Sequence, residues 1–519
     1  MISLLFTACS SEPQADLRIV NGPDPESLDP AIVTGQPDIR AAAGLFAGLT
    51  SPDPKTGRAI PCLAEKWDIS EDGKVYTFYL RKGIRWSTGQ PIVASDFVYS
   101  WERFLRPATG SRYANLLFPM VNAEEFNSGK ITDVSLLGMK ALDESTFRVE
   151  LKVPVAYFLD LCATVMLAVV PPEAIEADPS QWIRKDPLPV SGAYCLERWH
   201  LNDRIRLKKN PYYWNAVETQ SEVIDLLSTA ASVTAMNLYC QGEVDILLDK
   251  ELIPSDLLEL MIQRPDVHTF DYLGTYFVRI NVSKPPLNNS LVRRALSLAV
   301  DRSLLVERIA RSGGIPTSCL IPPQCANYLP LQEEKFNPEE AQRLLAEAGY
   351  PGGEGFPEIV YLFNAAAGGA AKTHQKVAIE LQRMWEDNLN IRVDLRQSEW
   401  KVLLSMMNNL EYDLCRSSWV ADYNDPTTFL NIFERNNGNN RTGWENAEYE
   451  QILAEAEMEA DLKKRALLLN RAETILVREE QPIIPLYFYK GVFCYDANHI
   501  KGLWPNPVDL HPLSAISKK

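Results

Sequence analysis

Positive charge is scarce in this chain of 519 residues: 52 lysines and arginines face 68 aspartates and glutamates, for a net charge of -16. That balance argues against a nucleic-acid partner, because neutralising a phosphate backbone takes a basic face. It argues equally against polybasic docking on an anionic membrane. Histidine is scarcer still, at five, and none of the nine cysteines (9, 62, 162, 195, 240, 319, 325, 415 and 494) forms a CxxC pair. No Cys/His zinc cluster is therefore spelled out. Apolar runs are short, with no stretch of ~18 residues that could cross a bilayer as a helix. Signatures of chemistry are missing too. GxSxG, HExxH and GxxxxGK do not occur, and "GGEGF" (352–356) lacks the strand–GxGxxG–helix frame of a dinucleotide loop. These absences argue against an enzyme without excluding one, because triads assemble from distant positions; no cofactor or metal is called for, and a moderately sized ligand is the default.

What is present is ordinary globular sequence, 46% hydrophobic and 23% charged, and long enough to divide into two or three domains. "GKVYTFYLRKGIRW" alternates, with Tyr76, Phe78 and Leu80 on one face, as a half-buried strand does. "ASDFVYSWERFL" predicts a helix capped by Ser95, with Phe97, Val98, Trp101, Phe104 and Leu105 on one stripe. Residues 288–310 predict one long helix. "NPEEAQRLLAEAGYPGG" reads as Asn337 cap, Pro338 in the first turn and Gly349 as stop. "HQKVAIELQRMWEDNLNIRVDL" reads as helix into strand, residues 446–480 as two helices, and "PIIPLYFYKGVFCY" as a strand or a hairpin. Strands separated by helices predict an α/β protein. Cys319 and Cys325, flanking "LIPPQ", are close enough in sequence to bridge in an oxidising compartment.

The start, "MISLLFTACSSEPQAD", resembles a bacterial lipobox, which implies lipidation at Cys9 with residues 1–17 as signal and linker. Phe6 stands where leucine is usual and no Lys or Arg precedes the run. The other reading of Cys9 is a cysteine with no such role in a loose terminus.

Five stretches then fall into a family order: "NGPDPESLDPA" (21–31), "AEKWDISEDGKVYTFYLRKGIRWSTGQPIVASDFVYSWERF" (64–104), "RIRLKKNPYYW" (204–214), "LVRRALSLAVDRSLL" (291–305) and "AQRLLAEAGY" (341–350). Together they resemble family 5 of the extracellular solute-binding proteins, the receptors of peptide ABC importers. The resemblance implies a bilobal periplasmic-binding-protein fold (type II, cluster C) with an extra domain on the first lobe and crossing strands as hinge. It places lobe one at 18–46, 171–272 and 490–519, the extra domain at 47–170, and lobe two at 273–489. It implies a monomeric, extracytoplasmic receptor, periplasmic or lipid-anchored, that hands short peptides to a permease complex. The same clam with another cargo (dipeptide, nickel complex, haem or sugar), or serving as a surface receptor or adhesin, is the alternative.

The site residues implied by the resemblance centre on "RSSWVADYNDPTTF" (416–429). Asp422 in "WVADYNDP" matches the aspartate that pairs with the peptide amine. A receptor for any peptide must bind what all peptides share, the backbone amides and the charged ends, and strand addition does so. Ser418, Val420, Gly35 and Gln36 match backbone-pairing positions, and Trp419 matches a pocket wall. Arg416 and His374 match residues near the peptide carboxylate, where a guanidinium fork suits the task. Trp400, sixteen residues before Arg416, matches a lining position, as do Leu404, Tyr113 and Tyr272. The chain also departs from the family: Gly274 and Val420 replace a cysteine pair, while Arg279 and Thr34 replace acids of the cleft. Arg279 is expected to face a side-chain pocket and to favour acidic peptide residues.

Overall fold

The computed structural model describes residues 14–519 apart from 255, 311–312, 365–368, 436 and 460. Cys9 lies outside the described residues. Within them no helix is long and apolar enough to cross a membrane.

The fold is mixed α/β, organised around one sheet of eleven strands. Two strands in its middle are unusually long, Val267–Ile280 with 14 residues and Ile483–Tyr495 with 13. They run antiparallel and pair twice, Val267–Asp271 with Cys494–Lys490 and Thr275–Arg279 with Phe488–Ile483, with a register shift between. Tyr272, Leu273 and Gly274 occupy the shift. Either end of this ribbon belongs to a different half of the molecule. One half carries Ile246–Leu247, Leu17–Gly22, Val223–Ser228, Arg204–Lys209 and Tyr194–His200, in that order. The other carries Leu414–Val420, Ile359–Asn364 and Val393–Ser398.

Alternation along the ribbon explains the cores. Tyr276, Val278 and Ile280 enter one core with Trp385 and Leu414, whereas Phe277 enters another with Phe429, Tyr449 and Ile483. Successive side chains of a strand point to opposite faces, so this half buries both. The first half shares a single core with residues 47–170, through Leu17, Ile19, Phe78, Trp101, Phe147 and Leu226. Residues 47–170 also hold their own four-stranded sheet, in the order Ala64–Ile69, Val75–Leu80, Thr146–Glu150, Met139–Ala141. Tyr76, Phe78 and Leu80 are buried as the alternation requires; burying such a side chain contributes roughly 1.5–3 kcal/mol.

Most sequence elements form where expected. Asn337 caps Pro338–Glu347 by accepting from the Glu340 N–H at 3.1 Å, and Gly349 follows at φ +100°. Residues 483–495 are one strand, not a hairpin. Three expectations are corrected. Helix Ala94–Leu105 begins before Ser95, and Asp96 accepts from the Val93 N–H at 3.1 Å instead. The long helix over 288–310 is broken, because Asp301 caps a new start by accepting from the Leu304 N–H at 3.0 Å. Cys319 and Cys325 are free and buried. The Cys319 thiol accepts from Arg478 Nη2 at 3.3 Å, and Cys325 packs into the core with Phe277.

Candidate functional site

Two cavities adjoin the register shift, of about 460 and 490 Å³. Gln36, Tyr272, Ser418, Val420 and Asp509 line both, so they are neighbours along the strand Leu414–Val420. That strand pairs with Val267–Ile280 over its whole length. On its other edge, among the described residues, Leu414 and Cys415 alone pair with a strand, at Tyr361 and Leu362. Among the described residues the edge from Arg416 to Val420 has no strand partner. An unpaired edge beside a cavity is a template for an incoming extended chain.

Asp422 closes one end of this edge. It lines the first cavity and is half-buried. Its own N–H donates to Thr428 Oγ1 at 3.1 Å, which fixes the backbone. Among the described residues no cation or donor meets its carboxylate, and burial pushes its pKa up to about 7. Its exposure is to the cavity, while protein surrounds it on the other sides; burial therefore raises the pKa although some surface remains open. Tyr113, in the same cavity, is pushed up to about 12, by burial first and then by the charge of Asp422. A desolvated carboxylate with no partner is a receptor for a cation.

Arg416 closes the other end, in the second cavity. Its Nη2 donates to the Tyr489 hydroxyl at 3.3 Å and its guanidinium lies 5.0 Å from the centre of the Tyr276 ring. Its Nε is buried with no hydrogen-bond partner among the described residues. His374, on helix Gly369–Leu389, lines the same cavity, with Nδ1 3.4 Å from the Tyr276 hydroxyl. Six positions separate Arg416 from Asp422, about 20 Å of extended backbone. Among the described residues, a carboxylate that meets no cation and a guanidinium held only by tyrosines thus flank one free strand edge.

The remaining expected residues divide. Trp419, Ser418, Val420, Tyr113, Tyr272, Gln36 and Thr34 line the first cavity. Gly35 is the N-cap of helix Gln36–Leu45. Trp400 is 44% exposed at the start of its helix, and Leu404 packs against the small core of Leu403, Met407 and Tyr412. Neither lines the two cavities.

Arg279 does not face a side-chain pocket, contrary to expectation. It is buried, donates from Nε to Ser417 Oγ at 2.9 Å, and lies 5.3 and 5.5 Å from the rings of Phe277 and Phe433. Burial pushes its guanidinium down to about 10. The pairing explains this: Arg279 faces Cys415 across the ladder, and Cys415 and Ser417 alternate with Arg416 and Ser418. Arg279 therefore lies on the face opposite Arg416. Where the resemblance implies a cysteine pair, Gly274 stands opposite Val420. A Cβ on Gly274 would come within 2.8 Å of the Tyr489 ring, so the aromatic takes that space.

Sequence reasoning missed Asp509, His511, Tyr487 and Tyr489. Asp509 lines both cavities and its Oδ1 is 2.7 Å from His511 Nε2. "NPVDLHP" (506–512), which holds Asp509 and His511, carries no motif that marks them, and Tyr487 and Tyr489 read only as strand residues of "PIIPLYFYKGVFCY".

The model of the bacterial extracellular solute-binding proteins, family 5 Middle, matches residues 58–441. The periplasmic oligopeptide-binding protein OppA of Escherichia coli (strain K12) is 37% identical over 482 residues, covering 90% of this chain and 86% of that protein. The crystal structure of a periplasmic oligopeptide-binding protein, OppAIV, from Borrelia burgdorferi superposes with a TM-score of 0.85 at 34% identity, covering 98% and 100% of the two chains. Haemophilus influenzae OppA in complex with RPPGFSPFR superposes at 0.82 with 31% identity, covering 97% and 100%. The chain belongs to family 5 of the bacterial extracellular solute-binding proteins.

Proposed function

We propose that the chain captures short peptides between its two halves and delivers them to an ABC permease. The peptide lies extended along the edge Arg416–Val420, its amine on Asp422 and its carboxylate toward Arg416 and His374. The observation that carries this reading is the free strand edge bounded, among the described residues, by a carboxylate that meets no cation and a guanidinium held only by tyrosines. Backbone hydrogen bonds to Ser418 and Val420 supply affinity without regard to sequence. Tyr113, Tyr272, Gln36 and Trp419 form walls, and water in the remaining space tolerates varied side chains. Peptide binding in relatives, including the OppA complex with RPPGFSPFR, supports the reading.

The protein acts outside the cytoplasm as a monomer, either periplasmic or held to a membrane through lipid on Cys9. It binds and does not turn over its ligand. Its halves divide as 18–46, 171–272 and 490–519 against 273–489, with 47–170 as an extra domain on the first. Support comes from the two-part pairing of Val267–Ile280 with Ile483–Tyr495. Calorimetry with Ala-Ala-Ala and its N-acetylated form tests the reading. The free peptide is expected to bind at least ~100-fold more tightly, because an acetylated end leaves a buried carboxylate unpaired. Equal binding contradicts it.

A further inference from the structure

Residues 47–170 pack on the first half, yet one of their side chains reaches the loop that carries Asp422. Tyr157 stacks face to face on Tyr423, with ring centroids 4.0 Å apart and planes 6° from parallel. Both rings are half-buried against the first core. Tyr423 adjoins Asp422 in the chain and comes from the other half of the molecule.

Each ring is rigidly mounted. Tyr157 follows Val155, whose carbonyl accepts from the Tyr76 hydroxyl at 3.3 Å. It precedes Phe158, which packs on Tyr76 at 4.7 Å and on Trp101 at 6.3 Å. On the facing side, Asp425 takes a fork from Arg465, with both bonds 2.8 Å and both side chains buried. The Asp425 N–H donates to the Tyr423 carbonyl at 3.0 Å, and the Tyr423 hydroxyl lies 3.3 Å from Thr427 Oγ1. The Asp422 N–H to Thr428 bond closes the same turn. The turn is therefore cross-braced, and the stacked pair ties it to residues 47–170.

We infer that Tyr157 is a positioning residue for ligand capture: by clamping Tyr423 it holds the Asp422 carboxylate where the ligand amine arrives. This deepens the peptide-amine reading and rests on it. The stack joins the two halves, so Tyr157 contributes to the closed, amine-competent state without touching the amine. Losing the clamp should weaken recognition of the free amine, while contacts along the Arg416–Val420 edge persist. An aromatic pair of this kind is worth enough for a ~2–12-fold effect.

The test measures affinities for Ala-Ala-Ala and its N-acetylated form by calorimetry, in wild type, Tyr157→Ala, Tyr157→Leu and Tyr157→Phe. The ratio of the two affinities is expected to fall ~2–12-fold in Tyr157→Ala and Tyr157→Leu and to return to the wild-type value in Tyr157→Phe, which keeps the stack. Tyr157→Leu keeps apolar bulk against the core and reads the clamp even where the alanine variant folds poorly. A general packing defect would lower both affinities together and leave the ratio unchanged. A wild-type ratio in the alanine or leucine variant overturns the positioning role. Absence of discrimination in the wild type itself overturns the amine reading.

Discussion

Asp422 and Asp425 sit three positions apart in one turn, and the molecule treats them in opposite ways. Asp425 is 0% exposed and held by both nitrogens of the Arg465 fork. Asp422 faces a cavity, has no cation among the described residues, and is pushed up to about 7 by burial. A charge neutralised inside the protein is structure, and a charge left waiting is a receptor. Sequence alone does not separate them, because both read as acids in "ADYNDP".

The largest expected effect breaks the structural member. Asp425→Ala leaves Arg465 buried without its partner and should cost ~3–5 kcal/mol of stability, read by chemical denaturation. Asp422→Asn should do the reverse. Its effect falls on peptide affinity, which is expected to drop by ~2–4 kcal/mol, or about 30- to 1,000-fold, measured by calorimetry. If both variants lose stability equally and keep affinity, the distinction is wrong.

A smaller effect sharpens the contrast in the ligand-free protein. Asp422 has a folded pKa, about 7, above its ordinary value of 3.8. Its ionised form therefore destabilises the fold, fully above pH 7, less as pH falls from 7 toward 4, and not at all below. At pH 8 Asp422→Asn should be more stable than wild type by about 1–2 kcal/mol, allowing for solvent that enters through the cavity. The advantage should vanish near pH 4. Denaturation curves at the two pH values check it, and an Asn variant less stable at pH 8 would contradict it.

The parts legible in the sequence were those set by local physics. Tyr76, Phe78 and Leu80 declare their face by alternation, and Asn337 declares its helix start. The broken helix at Asp301 was not legible, because its apolar pattern continues across the break while the aspartate cap restarts it. Arg279 was misplaced for a related reason: which face a strand residue occupies depends on the register of Val267–Ile280 against Leu414–Val420. In the site, family resemblance marked Asp422 and Arg416, whereas Asp509, Tyr489 and Tyr157 arrive from chain segments far away. They come together around the cavities and the Asp422 turn only in the folded molecule. Trp400 shows the converse, a position matched by spacing that lies 44% exposed and outside both cavities.

The central claim, that Asp422 waits for a ligand ammonium, has a direct signature in protons. At pH 6 the ligand-free carboxylate is mostly protonated, given its pKa of about 7, while a peptide α-amine with its usual pKa of about 8 already carries its charge. Pairing the two must expel the proton from Asp422. Calorimetric titration of Ala-Ala-Ala at pH 6, in buffers of differing ionisation enthalpy, counts the protons exchanged. Release of about one proton per peptide bound is expected for the wild type, and none for Asp422→Asn. Binding to the wild type without proton release, or with the same release in the variant, would contradict the claim.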